Sequence, residues 1–209
     1  MKNENHIIHW SEGFRSADKG GSGPVLLVLG DSLSAEYGLA RGAGWVQLLA
    51  DRLRERGTHY RVVNASISGE TTSGGRTRLP ALLKQHRPAV VVLELGANDG
   101  LRGLPINLMK DNLSAMIRAS EQANAKVLLV GIRIPPNYGR DYTDRFFSAY
   151  GALAREHKVA LVPWLLQGFG ESLDLFQADR IHPTAAAQPK MLDTVWPALQ
   201  PLLATKPTR

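Results

Sequence analysis

Five short apolar runs punctuate the chain, at residues 25–29, 60–63, 90–95, 127–132 and 160–162. Several are almost unbroken Val, Ile and Leu. Runs of that kind predict strands buried on both faces, as in a parallel sheet. Between them the apolar positions recur at helical spacing. Trp45, Leu48, Leu49 and Leu53 share one face of the first segment, and Leu79, Leu82 and Leu83 share one face of the second. Leu108, Leu113, Met116 and Ile117 mark the third; Phe146, Phe147, Tyr150 and Leu153 mark the fourth. Pro105 is placed to open the third helix, and Pro80 to sit near the start of the second or kink it. A last segment, 184–203, contains Pro189 and Pro197, so a broken or kinked helix is expected there. Strand–helix alternation predicts three layers, α/β/α, with right-handed crossovers. Sites in such sheets lie at the carboxyl ends of the strands.

Composition narrows this picture. With 209 residues, 44% of them hydrophobic, the chain can bury a core without metal or disulfide staples. Residues 24–205 read as one domain, 1–23 as an extension and linker, and 206–209 as a tail. The absence of cysteine excludes disulfides, thiolate–metal sites and a cysteine nucleophile. The net charge of +6 is scattered: Arg52, Arg54 and Arg56 alternate with Asp51, Leu53 and Glu55. That is a solvated helix face, so no nucleic-acid partner is expected. No apolar run approaches the roughly 20 residues of a membrane span, so no membrane insertion is expected either. The first residues lack the apolar core of a secretory signal. Ile7, Trp10 and Phe14 have the spacing of one helical face, and Gly20-Gly21-Ser22-Gly23 reads as a flexible linker. His6 and His9 have no further ligand nearby, and no metal is expected.

Candidate chemistry gathers in four motifs: Gly30-Asp31-Ser32-Leu33, Asn64-Ala65-Ser66-Ile67-Ser68-Gly69, Gly96-Ala97-Asn98-Asp99 and Asp179-Arg180-Ile181-His182-Pro183. Singly, each also reads as an ordinary turn or helix cap. The first three follow strands one, two and three, so the topology brings Ser32, Gly69 and Asn98 to one rim. A serine hydroxyl needs a base and an acid to orient that base. Of the six histidines, only His182 has a carboxylate three residues earlier in a turn-forming context. Asn98 offers a permanent amide donor, and Gly69 and Ser32 offer backbone N–H groups to a developing oxyanion. The run from Gly69 to Thr77 is no phosphate cradle, because Arg76 stands where a P-loop requires lysine. No G-x-S-x-G elbow is present.

The ordered motifs resemble blocks I, II, III and V of the SGNH, or GDSL, hydrolases. From Leu26 to Leu203 the chain is similar to the bacterial thioesterase I / lysophospholipase L1 / arylesterase branch. The resemblance implies a flavodoxin-like, five-stranded parallel sheet of order 2-1-3-4-5. It implies Ser32 as nucleophile, His182 as general base then acid, Asp179 as its orienter, and Ser32, Gly69 and Asn98 as oxyanion donors. It implies no cofactor, and small acyl esters or thioesters as substrates: aryl esters, acyl-CoA, lysophospholipids. The acyl chain is expected against the loop 100–105, including Gly100, Leu101 and Leu104, and against Ile134. Family members are usually exported, which implies a periplasmic or secreted enzyme; without a signal sequence the cytoplasm is the alternative. Glu36 and Arg180 stand where the family usually has glycine. They are expected to shape the rim of the site, with an ion pair between them as the working hypothesis. The competing readings are a carbohydrate O-deacetylase and a non-catalytic flavodoxin-like binding module. Apolar residues between 163 and 178, among them Trp164, Leu165, Leu166, Phe169, Leu175 and Phe176, favour an acyl chain over a sugar.

Overall fold

A computed structural model describes residues 23–203. The helical face and histidine pair expected before residue 20 lie outside them. The five strands are β1 (Val25–Gly30), β2 (Arg61–Asn64), β3 (Val90–Glu94), β4 (Lys126–Val130) and β5 (Ala160–Val162). All neighbours pair in parallel, in the order β2-β1-β3-β4-β5. Every residue of β1 and β3 is buried, while edge strand β2 is only half-buried. The unbroken apolar runs therefore mark the sheet centre. Leu26 pairs with Val90 and Val28 with Val92. The strand order reverses between β1 and β3, and a crevice opens there at their carboxyl ends.

Helix α1 (Trp45–Glu55) packs against α6 (Gln188–Leu199). Helices α2 (Thr72–His86), α4 (Ile106–Gln122) and α5 (Arg140–His157) pack in series; the short α3 (Ala97–Leu101) follows β3. Trp45, Leu49 and Leu53 are buried on α1, as their spacing predicts. No side chain at Gly44 caps α1; Gln188 Oε1 accepts the Trp45 N–H at 3.0 Å instead. Thr71 caps α2, its side chain accepting the Gly74 N–H at 3.2 Å.

The prolines follow the sequence expectation in part. Pro80 lies inside α2 rather than near its start. Pro105 caps α4. Pro189 falls in the first turn of α6, where its missing N–H costs nothing. The helix therefore begins at Gln188, after a 3₁₀ turn at Ala185–Ala187, and gives way to another at Gln200–Leu202.

Candidate active site

The chain turns sharply where β1 ends. Ser34 and Ala35 donate their N–H groups to the Asp31 carbonyl at 3.1 and 3.0 Å, and Leu33 N–H donates to Asp31 Oδ1 at 3.0 Å. The Asp31 carboxyl thus organises the turn that presents Ser32. Ser32 Oγ lies 2.8 Å from His182 Nε2. His182 Nδ1 lies 2.6 Å from Asp179 Oδ2. The network assigns the imidazole proton to Nδ1, facing the carboxylate, which leaves Nε2 to accept from the serine hydroxyl.

The histidine loop is held by its own short bonds. Asp179 Oδ1 accepts the N–H groups of Ile181 and His182 at 2.9 and 3.0 Å. Gln177 N–H donates to the His182 carbonyl at 2.7 Å, and Arg180 N–H to the Gln177 carbonyl at 2.8 Å. Arg180 adopts a left-handed φ of 59°. Slight burial works to raise the Asp179 pKa, but the His182 and Ile181 N–H groups and the imidazole outweigh it and hold it down to about 2. A carboxyl depressed this way keeps its charge above its ordinary 3.8 and loses it only as pH falls towards 2.

Across the crevice, Asn98 sits in α3, whose N-cap Gly96 has φ 123°. Asn98 Nδ2 donates to the Glu70 carbonyl at 2.9 Å. That bond uses one amide hydrogen and orients the other. Gly69 precedes Glu70 with φ 82°, and a Cβ there would meet nothing within 4 Å. Backbone conformation, rather than crowding from the protein, favours glycine at this turn. Behind Asn98, Asp99 accepts from Thr72 twice, from N–H at 2.8 Å and from Oγ1 at 2.6 Å, tying α3 to the start of α2.

Beneath Ser32 lies a feature the sequence reading missed. Asp31 and Glu94 are each only 1% exposed. Ser34 Oγ donates to Glu94 Oε1 at 2.6 Å, and Trp45 Nε1 donates to Ser34 Oγ at 3.2 Å. Burial pushes the Asp31 carboxyl up to about 6. Burial, then the Asp31 charge, pushes Glu94 well above its ordinary value. One signal was available: Glu94 closes an otherwise apolar strand.

A cavity of about 740 Å³ opens beside Ser32, Asn98 and His182. Leu101, Ile134, Phe147 and Leu166 form apolar wall, and Arg180 also lines it. Arg133 joins them, its guanidinium 4.2 Å from the Phe147 ring centre and 4.8 Å from that of Trp164. Gly100 is not in this wall: it is buried, and a Cβ there would come within 2.7 Å of Ile134 Cγ2. Leu104 is exposed and outside the lining. Glu36 also lies elsewhere. Its carboxylate accepts from Gly42 N–H at 3.0 and 3.1 Å and from Gly44 N–H at 2.9 Å. Among the described residues no ion pair joins Glu36 to Arg180, which corrects the expected pairing. The two share backbone geometry instead: φ is 59° at both, the region glycine enters at least cost. Among the described residues no cluster of His, Asp or Glu is arranged to hold a metal ion. No helix among them is long and apolar enough to cross a membrane.

A serine, histidine and aspartate in hydrogen-bonded line, at the switch point of a parallel sheet, define the serine-hydrolase class on an α/β/α frame. The chain belongs to the GDSL-like lipase/acylhydrolase family, whose pattern matches residues 28–188. It is similar to esterase TesA of Pseudomonas aeruginosa, 54% identical over 179 residues that cover 86% of this chain and 89% of that protein. Thioesterase 1/protease 1/lysophospholipase L1 of Escherichia coli K12 is 41% identical, covering 97% of this chain and 98% of that one. The crystal structure of the psychrotrophic esterase EstA from a Pseudoalteromonas species, inhibited by monoethylphosphonate, superposes with a TM-score of 0.82. It is 42% identical and covers 86% of this chain and 98% of that one. The chain is accordingly an ester hydrolase.

Proposed function

We propose that the chain hydrolyses acyl esters and thioesters through an acyl-enzyme on Ser32. The observation that carries this reading is the line Ser32 Oγ–His182 Nε2–Asp179, at 2.8 and 2.6 Å. Ser32 Oγ attacks the acyl carbon while its proton passes to His182 Nε2, and Asp179 stabilises the imidazolium. The tetrahedral oxyanion faces the N–H of Ser32, the N–H of Gly69 and the Asn98 amide. Collapse expels the alcohol or thiol, which takes its proton from His182. Water then repeats the sequence and releases the acid. The acyl chain lies along Leu101 and Ile134 in the cavity, with Arg180 at its wall. Gly100 contributes by letting Ile134 pack closely, and Glu36 by shaping the loop that follows Ser32.

Turnover of p-nitrophenyl butyrate by Ser32→Ala tests the mechanism. A fall of about 10⁴-fold or more is expected with the fold intact, and near-wild-type turnover would overturn it. The apolar wall of Leu101, Ile134, Phe147 and Leu166 favours acyl chains longer than acetate over sugar acetates. A p-nitrophenyl ester series checks this, since activity confined to acetate would favour a deacetylase. Acyl-CoA and lysophospholipid assayed on one preparation rank ester against thioester.

A further inference from the structure

The ring of Tyr37 lies against the His182 imidazole, with centroids 4.2 Å apart and planes inclined by 35°. Tyr37 is 48% exposed, so packing into the core does not account for its position. The backbone puts it there. Glu36, at φ 59°, begins a loop that its own carboxylate closes onto the Gly42 and Gly44 N–H groups. Gln177 then joins the two rings' backbones. Its Nε2 donates to the Tyr37 carbonyl at 2.9 Å and its N–H to the His182 carbonyl at 2.7 Å. Gly38, at φ 71°, leaves room for the Gln177 amide that a Cβ would fill.

We infer that Tyr37 is a positioning residue for His182: its ring fixes the plane of the imidazole and stabilises the imidazolium formed when Ser32 gives up its proton. This rests on His182 acting as the general base. When the Ser32 Oγ–H bond breaks and the Nε2–H bond forms, a cation appears against an aromatic face. A cation within about 6 Å of a ring centroid is attracted to it, and in the neutral ground state that attraction is absent. The ring therefore acts differentially on the transition state, which raises kcat. The other groups acting on the imidazole are Asp179 at Nδ1, Ser32 at Nε2 and the Asp31 carboxyl behind Ser32, and Arg180 lines the same cavity. None of these changes when the Tyr37 ring is replaced, and the bond from Gln177 to the Tyr37 carbonyl survives every substitution.

The test is a series, Tyr37→Leu, Tyr37→Phe and Tyr37→Trp, read by pH profiles of p-nitrophenyl butyrate hydrolysis. Leu lowers kcat about two- to fivefold and moves the acid limb of kcat/KM about half a unit to lower pH. Phe restores most of both, and Trp moves the limb back or beyond. A Leu variant with unaltered kcat and limb, or a Phe variant as impaired as Leu, would overturn the role of the ring. Either result leaves the serine mechanism standing. Full activity in Ser32→Ala would instead remove the mechanism itself.

Discussion

Ser32 and Asn98 stand at the ends of buried strands, whereas Asp179 and His182 stand on a loop that is largely exposed. The first half is held by the sheet. Its turn is braced by two carboxyls that are nearly inaccessible to water, Asp31 and Glu94, and by a Thr72–Asp99 tie to a neighbouring helix. The second half is held by hydrogen bonds among Leu175, Gln177, Asp179, His182 and Thr184. The cost of change therefore falls differently on the two sides. Substitutions on the strand side trade against the stability of the whole fold. Those on the loop act locally and register chiefly in catalysis.

The largest effect on the strand side is expected from Asn98→Ala. If the amide donates to the oxyanion, kcat falls roughly 10²–10³-fold with KM little changed, as steady-state kinetics would reveal. An equal rise in KM with kcat unchanged would make Asn98 a binding group only. Next in size is Asp31→Asn, which keeps the acceptor for Leu33 N–H. The native Asp31 carboxyl is raised from 3.8 to about 6, so between those values the folded state holds the extra proton. Its contribution to stability is full at low pH and declines as pH rises through that window. Denaturant melts at pH 4 and pH 7 should therefore show the variant gaining on wild type, by about 1–3 kcal/mol, as pH rises. A constant difference would deny Asp31 its buried, strained ionisation. The smallest effect tests the loop. Arg180→Gly relieves a left-handed φ while adding backbone freedom to the unfolded chain, for a net gain of about 0.5 kcal/mol. Thermal melting should rise by about 1–2 °C; a clear fall would show the arginine anchoring the loop through its side chain.

The sheet was legible because its central strands are buried on both faces, and continuous Val and Leu runs have few other uses. All five strand candidates match observed strands within two residues at each end, and their order places Ser32 and Asn98 at one crevice. The histidine census singled out His182, and its imidazole does meet Asp179 and Ser32. Contacts that no motif announces were not legible. Gln177 reaching Tyr37, and Ser34 reaching Glu94, depend on loop paths that periodicity does not encode. Arg180 does line the cavity, whereas Glu36 read as a rim charge because its identity was visible and its φ angle was not. A residue in place of a usual glycine was itself the hint of left-handed backbone.

Gln188 has a consequence that reaches beyond its hydrogen bond. It belongs to the last helix, yet its side chain satisfies the first turn of the first. Helix α6 also packs on α1, on the far side of the chain's course. The two ends of the domain are thereby latched, and α1 does not complete its bonding alone. Unfolding should thus proceed as one event, with amide protons of Trp45 and of α6 exchanging at a common rate. A chain cut before Gln188 would lose the latch at α1, far in sequence from the cut.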